Sequence, residues 1–166
     1  MRWAEFARAA PELAAMARDR FERDQIFLLA TLRPDGSPRI SGVECDFVDG
    51  DLMTGMIWRS MKALDLRRDP RCAVHSLVPD KAHEADNQGD LKLSGRAVEV
   101  HDPVHKRRYE ETLRARIDWA PSEPYHCFGF DLEWAGMVRF AEGHREVWSW
   151  HVGGALTRRE IPEFGP

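Results

Sequence analysis

Arg59, Ser60 and Lys62 carry the first chemical hint in the chain. They follow the apolar run Leu52-Met53-Thr54-Gly55-Met56-Ile57-Trp58 and lead into Ala63-Leu64-Asp65-Leu66-Arg67-Arg68. Asp69-Pro70 must end that second segment, because a residue before proline avoids helical angles. The pattern predicts a strand feeding the start of a short helix. A helix N-terminus leaves backbone N–H groups unpaired and carries partial positive charge, so it suits a phosphate or carboxylate. Two roles are open to Ser60: it caps the helix, or it gives its hydroxyl to such an anion. A cation in the first turn, here Lys62, opposes the macrodipole unless an anion sits nearby; the duller alternative is a lysine that snorkels into water. Arg59 adds a planar fork suited to phosphate oxygens.

Other reactive side chains point to less. Cys45, Cys72 and Cys127 are far apart, form no C-x-x-C pair and lie in apolar stretches, which reads as buried free thiol and argues against a disulfide framework or a zinc site. His101 and His105 flank Asp102-Pro103 at a helix start and need not share a face, so no metal pair is expected. His75 and His126 fall in predicted strands and read as satisfied core or edge histidines. Lys106-Arg107-Arg108 reads as a solvated helix face. No G-x-G-x-x-G or G-x-x-x-x-G-K-[ST] pattern occurs, which disfavours dinucleotide-binding and P-loop folds.

The elements that must position these residues belong to a chain of 166 residues with net charge -4, enough for one domain with a real core. An acidic balance argues against nucleic acid as the main partner. The longest apolar run, residues 26–30, is too short to cross a membrane, and the charged N-terminus shows no secretory signal, so a cytoplasmic location is expected.

Trp3 and Phe6 open a helical turn, and Pro11 suits the first position of a helix through residue 23 with Leu13, Ala14, Ala17 and Phe21 on its core face. Strands are expected at 26–32, 38–48 and 52–57, joined by the Arg33-Pro34-Asp35-Gly36-Ser37 and Asp49-Gly50 turns into a three-stranded meander. Gly42 weakens its strand unless something approaches the backbone there. Further strands are expected at 72–78, at 91–100 with Gly95 marking a bulge, at 125–132, 136–140 and 146–152. Residues 79–89 read as an exposed polar loop, and Asp102-Pro103 as the cap of a charged helix reaching residue 116. Trp148 and Trp150 share a strand face and read as core or interface anchors. The domain is expected to span 1–152, with 153–166 a tail ordered only against a partner. These elements predict an α+β fold, a small antiparallel barrel with peripheral helices.

Their order, with FLLATLRPDGSPRISGVECDF, DGDLMTGM, RSMKALDLRRDPRCAV and LKLSGRAVEV, resembles the pyridoxamine 5'-phosphate oxidase-like split β-barrel family of flavin and deazaflavin proteins. The similarity covers roughly residues 11 to 140. The resemblance implies a homodimer of antiparallel split barrels with cofactor sites at the interface. It places the cofactor phosphate at Ser60 and Lys62, with Arg59 adjacent, and the ring along Ser41, Gly42, Val43, Glu44, Met56 and Ile57. Trp58 is bulky where a smaller residue is expected, so it stacks on the ring or blocks the pocket. The ending Glu146-Val147-Trp148-Ser149-Trp150-His151 lacks the Arg-and-His pattern of true vitamin B6 oxidases, so that activity is not expected. The implied function is an oxidoreductase that uses FMN, or alternatively F420, on a small conjugated substrate. Rival readings are a non-catalytic FMN or F420 carrier or sensor and a degenerate dimeric interaction module. A flavin carries the hydride chemistry itself, so no catalytic acid or base is assigned.

Overall fold

Proline and aspartate set the helix ends where the sequence predicts. The computed structural model describes residues 1–24, 26–77 and 89–162. Helix α1 (Trp3–Ala9) is followed by α2 (Pro11–Arg23), with Pro11 in its first turn. The apolar face of α2 buries Leu13, Ala14, Ala17 and Phe21. Helix α3 (Met61–Arg68) stops at Asp69, and α4 (Pro103–Ile117) is capped by Asp102, whose carboxylate accepts from the N–H groups of Val104 and His105.

The strands are β1 (Phe27–Leu32), β2 (Pro38–Val43), β3 (Asp46–Val48), β4 (Asp51–Ile57), β5 (Arg71–Ser76), β6 (Asp90–Glu99), β7 (Tyr125–Ala141), β8 (His144–His151) and β9 (Thr157–Pro162). They form one antiparallel sheet in the order β2-β1-β5-β6-β7-β4-β3, with β8 on β7 and β9 on β8. The sheet is not closed. Its α+β, antiparallel split-barrel architecture is the one expected.

Several details correct the sequence reading. There is no three-stranded meander: β2 pairs with β1, whereas β4 pairs with β3 and β7. Glu44 and Cys45 interrupt the expected strand, and the chain crosses there from one end of the sheet to the other. The two strands expected at 125–132 and 136–140 are the single long β7. Ser94 pairs with Trp134 and Gly95 with Leu132, so Glu133 is an extra residue that bends β7 without ending its pairing. The supposed tail contains β9, ordered against β8 of its own chain rather than against a partner. Of the predicted polar loop only Gly89 lies among the described residues.

The main core gathers Trp3, Phe6, Phe21, Phe27, Trp148 and Trp150, all buried. Phe6 meets Trp150 at 4.9 Å between ring centres, so both late tryptophans are core anchors. A smaller cluster under α4 holds Met53, Tyr109, Leu113, Tyr125 and Cys127. The cysteines are free thiols; Cys45 and Cys127 are buried and Cys72 half-buried. No helix among the described residues is long and apolar enough to cross a membrane.

Candidate functional site

The crossover between β2 and β3 leaves a gap in the sheet. β3 pairs with β4 only as far as Met53, and among the described strands none covers β4 on that side from Thr54 to Ile57. A buried strand N–H needs an acceptor. The hydroxyl of Tyr109 on α4 supplies one, accepting from the Gly55 N–H at 2.7 Å. Glycine is required at that point, because an added Cβ at Gly55 would lie 2.8 Å from the same oxygen. Burial raises the Tyr109 phenol well above its ordinary range.

Between this free edge and the end of β2 lies a cleft of about 480 Å³. That is within the range of roughly 300–1,000 Å³ that holds a cofactor-sized ligand. The cleft brings together Gly42, Val43 and Glu44 from one side with Met56, Ile57 and Trp58 from the other, and Lys62 from α3. Ser41, Arg59 and Ser60 are neighbours of these residues but do not line the cleft. The sequence reading missed the remaining wall: Ile26, Gly55, Tyr109 and Tyr125, and the Trp119, Pro121, Ser122 and Pro124 stretch between α4 and β7.

Lys62 does not wave in water. Its ammonium donates to the Gly42 carbonyl at 2.8 Å, across from α3 to the edge strand β2. No carboxylate among the described residues pairs with it, and burial lowers its pKa below that of an ordinary lysine. The cleft's acid, Glu44, faces Arg116 at 3.5 Å rather than Lys62. A partly desolvated ammonium without a counter-ion is a site for an anion.

The turn before α3 completes the picture. Arg59 adopts φ 55°, a left-handed conformation, and Ser60 donates its backbone N–H to the Ile57 carbonyl at 3.0 Å. Ser60 occupies the N-cap position, but its side chain makes no cap bond. Its hydroxyl oxygen is buried and has no partner among the described residues. Of the two roles open to Ser60, side-chain capping is the one the structure lacks. Trp58 neither fills the cleft nor stands free: its indole stacks on His126 at 4.5 Å and 12°.

Behind this turn a buried carboxylate fixes α3. Asp65 accepts from Arg39 of β2 at 2.6 Å and from Thr31 of β1 at 3.0 Å, and pairs with Arg68 at 3.3 Å. These bonds dock the helix one turn downstream of Lys62.

An open antiparallel sheet with a ligand-sized cleft beside a helix N-terminus defines a split barrel. Over residues 13–139 the chain matches the family model described as pyridoxamine 5'-phosphate oxidase. The protein belongs to the pyridoxamine 5'-phosphate oxidase family. Among solved structures, it is similar to a Clostridium acetobutylicum protein related to general stress protein 26 (TM-score 0.63, 15% identity, 84% of this chain and 94% of that one). It is also similar to HutZ, described as the haem storage protein of Vibrio cholerae (TM-score 0.58, 14% identity, 73% and 90%). A protein described as an F420 reductase matches with TM-score 0.52 and 21% identity over 69% of this chain and 91% of that one. No curated protein matches the sequence.

Proposed function

We propose that the cleft binds a flavin or deazaflavin and that the protein is an oxidoreductase acting on a small conjugated molecule, with FMN ahead of F420 as the cofactor. The observation that carries this reading is the Lys62 ammonium, half-buried and without a carboxylate partner among the described residues, at the wall of a mostly apolar cleft beside the start of α3. Lys62 and the unpartnered Ser60 hydroxyl would hold the phosphate, with Arg59 at the same turn, and Gly42, Val43, Met56 and Ile57 would pack on the ring. Bound there, the cofactor would supply hydride transfer, while the protein orients it and limits water.

Haem, which HutZ is described as storing, is the less favoured ligand here. None of the described residues lining the cleft is a histidine or cysteine, and the hydroxyls of its two tyrosines are engaged, Tyr109 with the Gly55 N–H and Tyr125 with Glu110. A carrier or sensor of the same cofactor remains the non-catalytic version of this reading. Ile40, Ile57 and Met61 leave large apolar side chains exposed at 68%, 81% and 55%, beside or near the cleft, and we assign that face to a homodimer contact.

The test is an absorbance and fluorescence titration of purified protein with FMN, F420 and haem in parallel, with the mass in solution measured alongside. Saturable binding of FMN or F420 to a dimer is the expected result. Binding of neither would refute the cofactor reading, and a monomer would refute the dimer.

A further inference from the structure

Of the six tryptophans in the chain, five are engaged by their own surroundings. Trp3, Trp148 and Trp150 are buried in the main core. Trp134 gives its indole N–H to the Ser149 hydroxyl at 3.0 Å, and Trp58 stacks on His126. Trp119 is the exception. It is 57% exposed, and among the described residues no aromatic ring, cation or hydrogen-bond acceptor engages its indole.

The backbone around it is nevertheless well defined. Asp118 ends α4 in the left-handed conformation, φ 54°, with its N–H on the Arg114 carbonyl at 3.0 Å. Few residues other than glycine adopt that conformation, aspartate and asparagine more readily than most. The chain therefore leaves the helix axis immediately before Trp119, and Pro121 and Pro124 restrict the backbone that follows. The result is an exposed indole on the wall of the cleft.

Its company there matters. Of the large apolar side chains left exposed, Ile26, Ile57, Trp58 and Trp119 all line this one cleft. Single exposed apolar residues need no explanation, but several around one cleft mark a place where something apolar lands. Face contact between flat conjugated rings stabilises beyond the area it covers, and a tryptophan has only two side-chain torsions to fix in making it. The cleft thus offers a cation, Lys62, from α3 and a flat ring without a partner, Trp119, from the stretch after α4.

We infer that Trp119 is the ring clamp of the cleft: its indole lies against the conjugated ring of the ligand whose phosphate Lys62 holds. This rests on the cofactor reading and extends it to a wall that the strands and α3 do not supply.

Riboflavin and FMN are the probes, because they share the ring and differ in the phosphate. Trp119→Ala should weaken both by the same factor, about tenfold or more, the worth of one stack on a flat heterocycle. Trp119→Phe keeps a flat face and should stay within about threefold of wild type for both. Lys62→Ala should weaken FMN and leave riboflavin nearly unchanged. In ¹⁵N-tryptophan-labelled full-length protein, the indole N–H resonance that Trp119→Phe removes should move on saturation with either probe. Mass in solution is measured for every variant.

Riboflavin affinity unchanged in Trp119→Ala, or an unmoved Trp119 resonance under saturating FMN, would overturn the clamp and leave the flavin site standing. A Trp119→Ala protein whose mass falls from dimer to monomer would also overturn it, since the indole would then be meeting a second copy of the chain. Where F420 binds in place of FMN, the same variants and resonance are read with F420, and the same outcomes decide. Wild type that binds none of the three sinks the cofactor reading, and the clamp with it.

Discussion

Replacing Asp65 by asparagine should loosen the seat of α3 and make the protein less dependent on pH in acid. The carboxylate is 0% exposed and takes hydrogen bonds from Arg39 and Thr31, with Arg68 alongside. Breaking a fully buried ion pair by removing one partner costs about 3–5 kcal/mol. Here both arginines keep part of their surface in water, with 21% and 39% of the side chains exposed, and asparagine can still accept from Thr31. The expected loss is therefore lower, about 2–3 kcal/mol at pH 7. For a chain of this size that is roughly 5–10 °C in Tm.

The pH dependence has a definite sign. Burial alone would push the Asp65 carboxyl up, but the hydrogen bonds from Arg39 and Thr31 and the charges around it hold it below its ordinary value. A carboxyl with a lower pKa folded than unfolded contributes stability above its unfolded value, about 3.9, and loses it as pH falls through the folded one. Urea unfolding of wild type and Asp65→Asn between pH 7 and pH 3 measures both effects. The variant should lose stability at pH 7 and show a flatter decline below pH 4. A cost under about 1 kcal/mol at pH 7, or an acid decline as steep as that of wild type, would show that Asp65 is not the group that fixes the helix.

Lys62→Ala should retain the fold and lose roughly 10- to 100-fold in FMN or F420 affinity, the worth of one charge-assisted hydrogen bond. Because burial lowers the lysine pKa, wild-type affinity should fall at a lower alkaline pH than for an exposed lysine; a titration series across pH checks both. Gly95→Ala would put a Cβ 2.0 Å from the Asp131 carbonyl oxygen at the bulge. Urea unfolding should show a loss of about 2 kcal/mol or more. Burial pushes the thiols of Cys72 and Cys127 up to about 12, and that of Cys45 higher still. All three should react with a disulfide reagent at pH 8 only on addition of denaturant, read as thiolate absorbance.

Much of the candidate cleft was legible because it is local. The apolar run ending at Trp58, the Asp69-Pro70 stop and the misplaced cation together mark one strand, one turn and one helix, and Lys62 indeed faces the cleft with Gly42. The wall from α4 was not legible, because a helix rich in charge reads as solvated. Its signal was the pair Tyr109 and Leu113, one helical turn apart and both buried. Trp119 was a second signal, an aromatic residue in a stretch broken by Pro121 and Pro124. Which distant element such side chains meet is decided by topology, which no local period encodes.

The error about the meander and the existence of the cleft have one cause. Continuous strand pairing from β1 through β2 to β4 would have closed the space and paired the Gly55 N–H with β2. Instead β2 ends at Val43, and Asp46 at the start of β3 is drawn to Arg116 of α4 by contacts of 2.6 and 3.1 Å. That pair, with Glu44 also facing Arg116, holds the crossover against α4 and away from β2. The free edge of β4 then takes its partner from Tyr109 of the same helix. One helix therefore holds the crossover open and satisfies the edge that the opening exposes, which is why the split in the barrel is also its cleft.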